Sequence, residues 1–193
     1  MTRRYAPLLV AGLVSVLSLG SVLAQDGGTP APDVSTDLFD PAVVEATPIS
    51  GVETFTVESA EHTEDPVKYA QDPPAGGPHA PAWQKCAAYD APVRNENAVH
   101  SLEHGAVWIT YQPDLPGPEV KTLDKLAQHR SVLVSPYPDL KDPIVASAWG
   151  AQLRLDAPDD PRLGAFIERY AGNGPEPGAN CDSGLETTLE DAG

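Results

Sequence analysis

Two imidazoles and a carboxylate fall within five residues at His100-Ser101-Leu102-Glu103-His104, and Gly105 follows at once. On a helix, positions four apart share a face, with Cβ atoms about 5–6 Å apart. His100 and His104 could therefore offer two ring nitrogens to one metal ion. The H-x-x-E-H spacing is also that of inverted zincins, in which both histidines hold zinc and the glutamate is the general base. That use wants a further acidic ligand downstream, and Glu168 is the candidate. Against it stand the small domain and the shortness of the helix that would carry the motif. A second use is a histidine-rich copper or zinc site, with Glu103 as a ligand or as the group that orients the ligands. A third needs no metal: His100 and Glu103 would form a hydrogen-bonded cap beneath the following strand.

The chain has five histidines. His79 ends the run Pro73-Pro74-Ala75-Gly76-Gly77-Pro78-His79, in which stiff prolines and turning glycines could hold one imidazole without a helix or strand. Trp83 could wall such a site and exclude water. Read alone, the same run is a surface turn with an incidental histidine. His62 lies in the polar stretch 60–65 and by itself is an ordinary solvated side chain. His129 is expected at a helix end, where a cationic side chain suits the dipole, with no part in the site.

These residues need elements to position them. Residues 52–58 (VETFTVE) alternate apolar and polar, as a half-buried strand does. Prolines forbid a regular element through 69–83. Asn95 or Asn97 could cap a short helix over 98–104, with Gly105 in the left-handed position that ends it. Residues 106–111 (AVWITY) predict a buried strand, and Pro118 opens a helix to about 128. Strands are expected at 132–135 and 144–155, and Pro161 opens a last helix with Leu163, Phe166, Ile167 and Tyr170 at helical spacing. The order indicates a single α+β domain, a small mixed β-sheet with two main helices and one short motif helix.

The ends read differently from this core. Arg3 and Arg4, an apolar run over 8–23 and small residues up to Ala24 predict a signal peptide over 1–24, cleaved after Ala24. Residues 25–50, rich in Pro, Thr, Ala and Asp, read as a flexible linker. The domain then spans 51–181, and 182–193 is an acidic tail expected to fray. Loss of the leader, which has two arginines and no carboxylate, takes the formal charge from −16 to −18. Such a surface repels nucleic acid and anionic lipid and draws cations diffusely, so nucleic acid and membrane are poor partners. The expected location is periplasmic or secreted, with no membrane insertion after cleavage. Cys86 and Cys181, far from any C-x-x-C spacing in an exported chain, predict a structural disulfide, with a pair of thiolate metal ligands as the alternative.

From 62 to 181 the chain resembles an exported, mostly bacterial family, the domain of unknown function 3105. The resemblance rests on Tyr69, the Pro-Pro segment ending at His79, Trp83, Tyr89 and the run V-H-S-L-E-H-G-A-V over 99–107. It continues in Tyr111-Gln112-Pro113, Pro143-Ile144-Val145 and Ala148-Trp149-Gly150. The chain departs at Ala75-Gly76, where the family commonly shows a small hydroxyl residue before glycine. The resemblance names no reaction. It implies that His62, His79, His100 and His104 belong to a shared pattern, which favours a metal ion as partner. Imidazoles without thiolate or methionine suit Cu(II) or Zn(II) better than Cu(I). The expected ligands are His100, His104, His79 and His62, supported by Glu103, Trp83 and Tyr69. The expected role is metal handling or sequestration, with a Glu103-based metal hydrolase or a non-metal envelope module as alternatives.

Overall fold

The computed structural model describes residues 47–176 and 178–191. The leader expected over 1–24, and the linker up to residue 46, lie outside them. The strands are β1 (Val52–Thr54), β2 (Val107–Tyr111), β3 (Val132–Pro136), β4 (Ile144–Ala148) and β5 (Ala151–Leu155). The helices are α1 (Asn95–Glu103), α2 (Gly117–Leu126) and α3 (Pro161–Tyr170). The strands make one sheet in the order β1-β5-β4-β2-β3. Strands β2 and β3 pair in parallel across α2, and the remaining pairs are antiparallel. This is the small α+β domain with a mixed sheet that the sequence predicts.

Interior strand β2 is buried along its whole length because both faces of the sheet are covered. Val107, Ile109 and Tyr111 face Leu123 of α2 and Leu163, Phe166 and Ile167 of α3. Trp108 points the other way, into a second core with Ala98 and Leu102 of α1, Tyr137 and Cys181. Burying one large apolar side chain stabilises by about 1.5–3 kcal/mol. Helix α1 is therefore fixed to the sheet by its apolar side, leaving its C-terminal turn to carry the histidines. Edge strand β3 is shielded by residues 87–89, where Tyr89 N donates to Val134 O at 2.9 Å and Val134 N to Ala87 O at 2.9 Å.

Four local expectations change. The first strand stops at Thr54, after which one further bond, Phe55 N to Gly150 O at 2.8 Å, holds the chain to the sheet. The 144–155 run is a hairpin, β4 and β5, turned at Trp149-Gly150 with Gly150 at φ 71°. Both halves are apolar enough to read as one strand, and the positive φ that glycine permits is what breaks it. Neither Asn95 nor Asn97 caps α1, because the helix starts at Asn95 and both lie inside it, the N-cap position falling to Arg94. Their Nδ2 groups donate instead to Tyr137 Oη at 3.2 Å and to Ala82 O. The acidic tail is tied down rather than frayed as far as Leu189: Leu185 N donates to Trp83 O at 2.9 Å and Leu189 N to Pro92 O at 2.8 Å.

Candidate metal centre

Three segments meet over the C-terminal turn of α1. The turn itself offers His100, Glu103 and His104, at the helix end whose partial negative charge favours a cation. The loop before His79 is the second. Tyr69 Oη donates to Pro78 O at 2.8 Å, while His79 N donates to Glu61 O at 3.0 Å and Thr63 N to His79 O at 2.7 Å. This short parallel bridge sets His62 beside His79. The third segment follows α3. Gly172 N donates to Gly105 O at 2.8 Å and Glu176 N to Glu103 O at 3.3 Å. A Cβ on Gly174 would fall 2.1 Å from Glu103 O, and one on Gly105, at φ 83°, would fall 2.8 Å from Gly174 N. Facing glycines thus let two backbones touch, and that contact carries Glu176 to His104.

Three of the rings are anchored in one way. Nδ1 of His79 donates to Gly77 O at 2.8 Å, that of His100 to Ala80 O at 2.6 Å, and that of His104 to Asn180 O at 3.2 Å. A carbonyl oxygen only accepts, so each Nδ1 keeps the ring proton and each neutral ring bares a lone pair on Nε2. Those lone pairs then converge. His100 Nε2 lies 3.0 Å from His104 Nε2, and His79 Nε2 lies 3.1 Å from Glu103 Oε2. His104 Nε2 is also 3.0 Å from Glu176 Oε2, and His62 Nε2 is 4.0 Å from Glu103 Oε2.

Facing lone pairs at these distances repel unless a cation, proton or metal, lies between them. Burial is the main force on His100, reinforced by the neighbouring imidazoles and only partly offset by the Ala80 carbonyl; together they push its pKa down to about 4. His100 itself is therefore a poor proton carrier and acts as an acceptor, toward a proton held on His104 Nε2 or toward a metal ion.

The donors form two overlapping groups. His62, His79, His100 and Glu103 offer one atom each, all within 4.8 Å of one another, and His100, His104 and Glu176 do the same. His79, His100 and His104 are 0, 3 and 6 % exposed, whereas the side chains of His62 and Glu176 are 50 and 55 % exposed. The cluster has a buried floor and an open rim. Trp83 walls one side, its ring 5.5 Å from that of His100 and 4.8 Å from that of His104. Trp149 meets His79 edge-on at 5.9 Å. Burial, reinforced by Glu96, raises the Tyr69 pKa, so its hydroxyl stays a neutral donor behind the His79 loop.

All four expected histidines thus meet, with Trp83 against two of them and Tyr69 behind a third. Glu103 stands among the nitrogens themselves. His129 and Glu168 belong to neither group. Sequence reasoning missed Glu176 and the place of Trp149. The signal for Glu176 lay in Gly172-Asn173-Gly174-Pro175-Glu176, a stretch of turning glycines and proline like the one that precedes His79. Cys86 and Cys181 are bonded to each other, with Cα atoms 5.2 Å apart, so they are not thiolate ligands.

Fold and cluster together define a small α+β domain built around a histidine–carboxylate centre. The chain belongs to a family of proteins of unknown function, DUF3105, whose model matches residues 61–183. That span contains all six donor residues and both cysteines. No curated protein and no solved structure matches the chain.

Proposed function

We propose that this protein binds a divalent transition metal, copper or zinc, through its histidine cluster and serves to handle or sequester that metal outside the cytoplasm. The ligands are His62, His79, His100 and His104, joined by Glu103 and Glu176. One observation carries the reading: three buried imidazoles, each anchored through Nδ1, aim their Nε2 atoms at a common region shared with two carboxylates. Each Nε2 lies within 3.1 Å of another donor of the cluster, His79 beside Glu103, His100 beside His104 and His104 beside Glu176, a spacing that a shared metal ion would also satisfy. A hydrolase would need Glu103 free to take a proton from metal-bound water, yet its Oε2 stands 3.1 Å from His79 Nε2, in the position of a ligand. An extracytoplasmic location is supported by the disulfide and by the leader read at 1–24. Among the described residues no helix is long and apolar enough to cross a membrane.

The test is elemental analysis of untagged protein purified from its native compartment, beside a His100→Ala/His104→Ala double variant. Copper or zinc is expected in near-stoichiometric amount in the wild type, and its loss in the folded variant. A wild type that arrives empty and takes up neither metal on titration overturns the proposal.

A further inference from the structure

We infer that the cluster is built for two metal ions, not one, each held by two imidazoles and one carboxylate. The inference rests on the metal-binding reading above and goes beyond it in stoichiometry. Atoms bound to one ion at about 2.1 Å lie within about 4.2 Å of one another. Six donors are present, but they fall into two groups and not into a single one. Only His100 is common to both, and it cannot bridge two ions: its Nδ1 is committed to Ala80 O at 2.6 Å, which leaves Nε2 alone.

The closest approaches show how the six divide. Glu103 Oε2 is 3.1 Å from His79 Nε2 and 4.0 Å from His62 Nε2, which gives one triad. His104 Nε2 is 3.0 Å from His100 Nε2 and 3.0 Å from Glu176 Oε2, which gives the other. The two triads have the same composition. Each sets one carboxylate charge against a divalent ion, and each has an exposed member at the rim, His62 in the first and Glu176 in the second. The rings of His79 and His100, one from each triad, have centroids 4.8 Å apart, so the two positions are neighbours. Three protein donors leave further coordination positions on each ion, open toward that rim. Two ions side by side, each reached from solvent, suit a protein that loads and releases metal.

The experiment is titration of the chelator-stripped, disulfide-intact protein with Zn²⁺ alone, the bound metal being counted by elemental analysis after gel filtration. Glu103→Gln and Glu176→Gln variants are run beside it, with far-UV circular dichroism reporting that each is folded. Two ions per wild-type chain and one in each variant are expected. Loading with Cu²⁺ should add a half-field electron-spin resonance from a coupled pair, absent from both variants. Saturation of the wild type at one ion overturns the two-ion inference and leaves the metal-binding proposal standing. No uptake overturns both. Two ions in the wild type and in both variants would mean surface sites and would also overturn the inference.

Discussion

An imidazole has two nitrogens, and in its neutral form one proton, so the partner of one nitrogen decides what the other can do. Here the backbone makes that decision three times, through the carbonyls of Gly77, Ala80 and Asn180. The aromatic side chains around these rings give a direct optical readout. Of the three tryptophans, Trp83 lies against His100 and His104 and Trp149 against His79. Trp108 is wholly buried in the sheet core, its Nε1 donating to Ser135 Oγ at 3.0 Å. A bound Cu²⁺ ion should therefore quench the emission of two of the three tryptophans. Trp83→Phe and Trp149→Phe should each remove part of that quenching, and Zn²⁺, closed-shell and redox-inert, should reproduce none of it. Steady-state fluorescence during a Cu²⁺ titration checks this, and unchanged emission would place no copper beside those rings. The place of Trp83 could be foreseen because it follows His79 closely in the chain. That of Trp149 could not, since it arrives through the β4–β5 turn.

At the scale of elements, α1 is the part on which the centre depends, and its first turn is anchored by a carboxylate. Glu96 Oε1 accepts from Val67 N at 3.0 Å, and Oε2 accepts from Arg94 Nε at 2.9 Å. Burial alone would raise the Glu96 pKa, but the amides of Val67 and Glu96 and the Arg94 guanidinium outweigh it and hold the group below its ordinary value. A carboxylate whose pKa falls on folding stabilises the native state above its unfolded pKa, near 4.3, and loses that contribution as pH drops through the folded value. Glu96→Gln should therefore cost about 1–2 kcal/mol at pH 7, with the difference from wild type shrinking below pH 4 or so. Urea denaturation of both proteins between pH 3 and 7 checks it, and a gap independent of pH would sink the assignment. The His100/His104 pairing on α1 was legible because i, i+4 spacing is local. The contribution of Glu176 was not, because it depends on the Gly105–Gly174 backbone contact between segments far apart in sequence. The caps failed because α1 starts at Asn95, before the expected 98, so both asparagines sit inside the helix, where distant partners, Tyr137 Oη and Ala82 O, accept from their amides.

On the scale of the whole molecule, two features bear on the centre. The formal charge of −16 favours cations everywhere on the surface, so it raises local metal concentration without choosing a site. Selection falls to the covalent frame. Cys86 N donates to Cys181 O at 2.7 Å, and the disulfide between these residues closes a sequence separation of 95. Restricting the unfolded chain over so long a loop stabilises by about 4–5 kcal/mol. The same bond has a local consequence, because Asn180, whose carbonyl orients His104, is the residue immediately before Cys181. His79 and His62 are held differently, by the 61–63 bridge and the Tyr69–Pro78 contact, which the disulfide does not touch. A Cys86→Ser/Cys181→Ser variant should thus lose about 4–5 kcal/mol of stability in urea. Its metal binding should suffer at one end of the cluster only. Loss of the group that orients a ligand commonly costs about 10–100-fold in metal affinity, and that loss should appear in the His104 and Glu176 donors. Zn²⁺ titration under native conditions, followed through the ring nitrogens by NMR, separates the two effects. If His104 shifts as in the wild type while only the urea midpoint moves, the disulfide acts on stability alone and the link to the centre is wrong.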